Sequence, residues 1–282
     1  MSTIRKTLSV AAFLVAALLP AWSVTYKTID VPGATTTMVF GINIAGDMVG
    51  TYIDSSAVTH GFLLVGGTFT TIDYPNAVST FAYGINDSGE ICGSYFLAKG
   101  NSHGFTLTGK TFAPVNVPKS TSTTVSGINN AAQLVGSYDD QSAVTHGFKF
   151  AKNHFSSIDV PGALLTQAYG LNNDGYIVGS YRDASNATLG FFYKQGTIKK
   201  VSVPNAVATI ATGVDDSSHI VGYWTGAHSR SHGFRLGSRG YITTGFPGSK
   251  DAANLGLNNS VVIVGEYVDD SNVVHGFERS KD

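Results

Sequence analysis

The chain has little charge, one cysteine and no basic cluster. Only 13% of its 282 residues are charged, about half the share of an ordinary soluble domain. Its surface must therefore be solvated by Ser, Thr, Asn and Gly. The single cysteine, Cys92, excludes an intramolecular disulfide. Without a block of Lys and Arg, counterion-release binding to nucleic acid has no electrostatic footing. Only three glutamates occur, Glu90, Glu266 and Glu278, none with a visible partner. Nucleophile elbow, metal-ligand spacing and phosphate loop are all missing, so no metal, cofactor or catalytic residue is assigned. The apolar run from Leu8 to Leu19 reaches about 18 Å as a helix, short of the ~30 Å bilayer core, and membrane insertion is not expected.

That run follows Arg5 and Lys6 and is broken by Pro20, with Ala21-Trp22-Ser23 placing small residues three and one positions before Val24. This is the pattern of a secretory signal peptide over residues 1–23, so residues 24–282 are expected to be secreted or extracellular. Two of the 18 basic residues fall in that segment, leaving 16 against 19 acidic ones.

What the sequence has in abundance is repetition. Gly41, Gly84, Gly127, Gly170, Gly213 and Gly256 recur every 43 residues, each opening Gly-(Ile/Leu/Val)-(Asn/Asp). Gly50, Gly93, Gly136, Gly179, Gly222 and Gly265 keep the same period, as do Pro32, Pro75, Pro118, Pro161, Pro204 and Pro247. Six periods, starting near residues 25, 68, 111, 154, 197 and 240, fill the chain to residue 282. In the second copy, strands are expected over 80–85, 90–95, 103–107 and 111–117. Asn86 to Gly89 suits a type I turn, and the Pro-Gly or Pro-Asn steps suit type II turns, which leaves Lys119 strained after Pro118. Adjacent apolar residues such as Ile91 and Cys92 point to opposite faces, so both faces are buried. Four-stranded units of this size, buried on both faces, predict an all-β, six-bladed β-propeller. The chain opens on a fourth-type strand and ends on a third-type strand, so pairing of the N- and C-terminal strands is expected to close the ring and remove two exposed edges.

The motif Gly-Ile-Asn-x-x-Gly-x-Val-Val-Gly-x-Tyr followed by His-Gly-Phe resembles the HAF repeat of bacterial extracellular repeat proteins, with Gly where that family commonly has Ala. His60, His103, His146, His232 and His275 match its histidine, and Leu189 departs from it. The resemblance implies export and a propeller-like fold, and brings no established activity.

Since Leu189 occupies the histidine position in one copy, the five histidines are expected to be buried, hydrogen-bonded structural groups. Asn43, Asn86, Asn129, Asn172, Asp215 and Asn258 are expected to cap tight turns. Asp54, Asp140, Asp183 and Asp269, each followed two residues later by Ser, are expected to form Asp-turns and to offer shallow ligand contacts. In the fifth copy Trp224, His228 and Arg230 replace that loop, a set able to stack on a sugar or hold an anion. The reading is a secreted, monomeric binding or scaffold module for an extracellular polysaccharide or protein surface. The alternatives are a hydrolase or lactonase in the central recess and a structural envelope or matrix protein with no dedicated ligand.

Overall fold

The computed structural model describes residues 23–98 and 100–281; the signal-peptide reading falls almost wholly outside them. The described residues form 24 strands. After β1 (Val24–Ile29), the first sheet is β2 (Thr36–Ile42), β3 (Met48–Ile53), β4 (Thr59–Val65) and β5 (Thr68–Ile72). The second is β6 (Ser79–Ile85), β7 (Ile91–Phe96), β8 (Ser102–Thr108) and β9 (Thr111–Val115). The third is β10 (Ser122–Ile128), β11 (Leu134–Asp139), β12 (Thr145–Ala151) and β13 (His154–Ile158), and the fourth β14 (Leu165–Leu171), β15 (Ile177–Arg182), β16 (Thr188–Lys194) and β17 (Thr197–Val201). The fifth is β18 (Ala208–Val214), β19 (Ile220–Thr225), β20 (Ser231–Gly237) and β21 (Gly240–Thr243). The sixth takes β22 (Asp251–Leu257), β23 (Ile263–Val268) and β24 (Val274–Lys281) from one end of the chain and β1 from the other.

Every sheet is an antiparallel meander, and β1 supplies the missing fourth strand, paired with β24 from Val24↔Lys281 to Ile29↔Gly276. Neighbouring sheets pack through side chains rather than joining edge to edge. Among the described residues only the single-residue bridges Thr36↔Val274 and Thr59↔Ser79 link one sheet's ladder to the next. The first strands succeed one another round an axis, and β2 lies against both β6 and β22.

The repeat markers are packing devices. Phe62, Phe105, Phe148, Phe191, Phe234 and Phe277 are all fully buried, each worth roughly 1.5–3 kcal/mol of apolar burial. Each ring lies over the glycine that faces it across the ladder. A Cβ on Gly50 would stand 2.7 Å from the Phe62 ring and overlap the Met38 carbonyl oxygen. The same holds at Gly93 against Phe105 and the Phe81 carbonyl. Val49, Cys92, Val135, Val178, Val221 and Val264 face the next sheet and are completely buried. Cys92 is thus a small core residue, its thiol pushed well up by burial.

Strand ends agree with the sequence reading to within about two residues. The fourth strand of the second copy stops at Val115 because the turn after it is already set by Ser120 N–H donating to the Val117 carbonyl at 3.2 Å. Gly33, Asn76, Lys119, Gly162, Asn205 and Gly248 have positive φ after their prolines. Lys119, at φ 66°, is held in a conformation that costs a side-chain-bearing residue about 1 kcal/mol.

Candidate binding surfaces at the loop rim and the axis

The loops between second and third strands and the Pro-containing connections share one end of the wheel. Thr35 N–H donates to the Ile53 carbonyl at 2.8 Å, and Val78 N–H to Phe96 at the same distance. At this rim Asp54 caps its own loop: its Oδ1 accepts the N–H of Ser56 and of Val58, each at 2.8 Å. Asp140, Asp183 and Asp269 repeat the arrangement. In Asp54, Asp140 and Asp269 the largest influence, the backbone N–H four residues on, holds the carboxyl below its ordinary range. In Asp183 the Ser185 hydroxyl is the main cause.

The histidines require a correction. They are not buried, because each opens the third strand at the rim, where His60, His146 and His275 keep 19%, 26% and 21% of their side-chain surface exposed. Three of them, His60, His146 and His275, are hydrogen-bonded as expected, each standing between two carboxylates. His60 Nδ1 is 2.8 Å from Asp73 Oδ1, and its Nε2 is 3.5 Å from Asp54 Oδ2. His146 stands likewise between Asp159 and Asp140, and His275 between Asp30 and Asp269. The imidazole lies on the aromatic ring opposite it, Tyr52 on His60 at 4.9 Å, with the same pairing at Tyr138–His146 and Tyr267–His275.

Asp30, Asp73 and Asp159 were missed by sequence reasoning, although Asp two residues before the repeat proline was a usable signal. Where that residue is Asn116, His103 makes only a 3.4 Å contact with it. Where it is Ser202, the histidine itself is replaced by Leu189. His232 has neither carboxylate and lies on Trp224, with ring centroids 4.5 Å apart.

Trp224 is half-buried against the fifth-sheet core, while His228 and Arg230 are exposed in the loop beyond it. No hydrogen bond or ion pair joins these three among the described residues, so the structure does not gather them into one cluster. The rim also carries exposed aliphatic residues that the sequence reading passed over. Val58 lies next to Val78 across the Thr59↔Ser79 bridge, Val144 and Leu164 occupy the equivalent places two sheets on, and Val207 is 64% exposed.

The opposite end is built from the Asn turns. Asn86 Oδ1 accepts the N–H of Ser88 and Glu90, as a turn cap should. Its amide does something further, donating from Nδ2 to the Asn129 carbonyl in the next sheet at 3.3 Å. Asn43, Asn129, Asn172 and Asn258 make the same inter-sheet bond, the last reaching back to the Asn43 carbonyl at 2.9 Å. Asp215 has no amide to donate and instead pairs with His219 at 2.7 Å.

Along the axis lies a chamber of about 390 Å³. It narrows at a collar of Ile42, Ile85, Ile128, Leu171, Val214 and Leu257, beyond which Asp87, Asn130, Asn173, Asp216 and Asn259 surround the mouth at the turn end. Beyond its glycines and the collar, its lining does not repeat. One row reads Phe40, Tyr83, Ser126, Tyr169, Thr212 and Leu255 from sheet to sheet. Phe40 and Tyr83 meet edge to face at 5.1 Å, and the Tyr169 hydroxyl donates to Gln167 Oε1 at 3.0 Å. Burial pushes Tyr83 and Tyr223 up to about 12 and raises the Glu266 carboxyl. Among the described residues no group of three or more His, Cys, Asp or Glu is placed to hold a metal, and no helix is long and apolar enough to cross a membrane.

No family model matches the chain, and no curated protein sequence does. Solved structures do. A triple arginine-to-alanine mutant of AofleA from Arthrobotrys oligospora is 10% identical, with 90% of this chain and 85% of that one covered at a TM-score of 0.56. The SapL1 lectin in complex with alpha methyl fucoside is 10% identical over 87% of this chain and 93% of its own, also at 0.56. Trypanosoma rangeli sialidase is 11% identical over 93% of this chain, which spans only 60% of it, at 0.50. At such identities the likeness concerns the fold alone, an all-β propeller of repeated four-stranded sheets.

Proposed function

We propose that the chain is a secreted, six-bladed and closed β-propeller of the HAF-repeat type. On this reading it acts as a binding module for an extracellular polymer, in the first place a glycan, engaged by the loop rim. The observation that carries this reading is the recurrence of one rim chemistry from sheet to sheet: a capped Asp turn, a histidine lying on an aromatic ring, and exposed aliphatic residues beside them. Such a surface offers carboxylate and other polar acceptors beside small apolar patches, which suits hydroxylated ligands. Weak contacts at several sheets add through multivalency. The likeness to SapL1, a lectin solved with alpha methyl fucoside, makes fucosylated glycans the first to test.

Purified residues 24–282 are passed over glycans immobilised at increasing density, with fucosylated and unfucosylated series. Retention that climbs steeply with density is expected, reduced severalfold by Val78→Asp with Leu164→Asp and Val207→Asp. Ile242→Asp, exposed on the outermost strand of the fifth sheet, should leave it unchanged. Trp224→Ala separates one specialised sheet from several equivalent ones. A folded protein retained by no glycan at any density would refute the glycan reading.

A further inference from the structure

The axial chamber differs from the rim in that, beyond its glycines and aliphatic collar, its lining changes from sheet to sheet. Four aromatic residues from four different sheets line it: Phe40, Tyr83, Tyr169 and Tyr223. Its lining contains no Lys, Arg or His, and neither does the mouth at the turn end. The charges near it are negative. Glu266 belongs to the same row as two chamber residues. Ser137 faces Thr124 across its ladder and Tyr223 faces Ile210, as Glu266 faces Ala253; those first four residues line the chamber, and Glu266 stands in their row without itself being part of the lining. Its charge acts on Tyr223, and no hydrogen bond to its carboxylate is formed among the described residues. A half-buried carboxylate that acts on Tyr223, beside a chamber whose described lining has no basic side chain, lacks a counter-charge. Aromatic faces attract cations by their quadrupoles, most strongly where water is excluded. Acidic groups at the mouth, Asp87 and Asp216, bias the potential the same way.

We propose that the axial chamber is a single-copy site for a compact organic ammonium ion, seated among Phe40, Tyr83, Tyr169 and Tyr223 with Glu266 as its counter-charge. A trimethylammonium head fills part of the chamber and leaves room for a substituent along the axis. This site is independent of the rim, and its ligand needs no polymer.

The test is calorimetric titration of purified residues 24–282 with choline, beside its neutral isostere 3,3-dimethylbutan-1-ol, which keeps the shape and removes the charge. One choline per chain is expected, with the isostere weaker by about tenfold or more. Glu266→Gln and Tyr83→Leu should each weaken choline by a similar factor while thermal unfolding stays cooperative. The rim set Val78→Asp, Leu164→Asp and Val207→Asp should not alter it, which keeps failure here distinct from failure of the glycan reading. Equal affinity for the isostere, more than one ligand per chain, or no heat at millimolar choline would overturn the proposal.

Discussion

Two families of turn sit at the two ends of this wheel, and locally they are built alike. In both, an Asn or Asp side-chain oxygen accepts backbone N–H groups two and four residues on, as Asn86 does for Ser88 and Glu90 and Asp54 does for Ser56 and Val58. They differ in the second atom of the side chain. The asparagine has an amide left over, and buried at the axis it donates to the neighbouring sheet. The aspartate has a second oxygen left over, and at the rim it faces a histidine of its own sheet. One element therefore closes a turn in both places, but only the amide version joins sheets. The chain contains its own control in Asp215, where the inter-sheet donor is absent and His219 is recruited.

The most damaging way to break this comparison is to put the rim residue at the axis. Asn129→Asp keeps the turn cap but removes the 3.0 Å bond to the Asn172 carbonyl and sets a buried charge against it. A loss of about 3 kcal/mol in urea unfolding is expected, since a buried group left unsatisfied costs ~1–3 kcal/mol and a charged one more. The reverse exchange sharpens the contrast. Asp215→Asn retains the acceptor for His219 N–H and gains a donor toward the Asn258 carbonyl, and should stabilise by about 1 kcal/mol.

At the rim, replacing Asp54, Asp140, Asp183 and Asp269 together by Asn preserves every turn and removes only charge. Because the folded carboxyls lie below their unfolded value of 3.8, their contribution is present above that value and is lost as pH falls through the folded ones. The wild type should lose melting temperature as pH falls through and below that value. The fourfold variant should show a shallower acid limb and a lower midpoint at neutral pH, the two proteins converging in acid. The smallest expected effect concerns the glycine position of the Asn turn. Gly46, Gly89 and Gly175 have positive φ there, and so does Val261, at 61°. Val261→Gly should relieve that strain and raise stability by about 1 kcal/mol, whereas Gly89→Val should cost a similar amount.

How much of this the sequence discloses follows from what repetition preserves. The 43-residue period exposed the strands, the turn caps and the pairing of the first strand with the last, because every copy repeats the same pattern, whereas the packing of Phe62 over Gly50 needed the structure. The second atom of Asn86 was illegible, since its partner lies a full period away and the local turn already accounts for the residue. The histidines were misjudged for a related reason: alternation along β4 places His60 on the face of Phe62 but does not say that this end of the strand meets solvent. The axial lining was hidden most thoroughly. Phe40, Tyr83, Ser126, Tyr169, Thr212 and Leu255 share a position and almost no chemistry, so a search for what recurs passes over the positions where the copies diverge.

The pairing of β1 with β24 also has a mechanical consequence. Val24 stands opposite Lys281 and Ile29 opposite Gly276, so both loose ends of the described chain leave the sixth sheet from the same side. A pull applied between them does not shear the ladder as a whole. It peels β1 away one hydrogen-bonded pair at a time, beginning at Val24, and needs little force at any moment. The sixth sheet is thus a release catch: tension on the two ends opens it first, while the five sheets built from continuous chain are still intact.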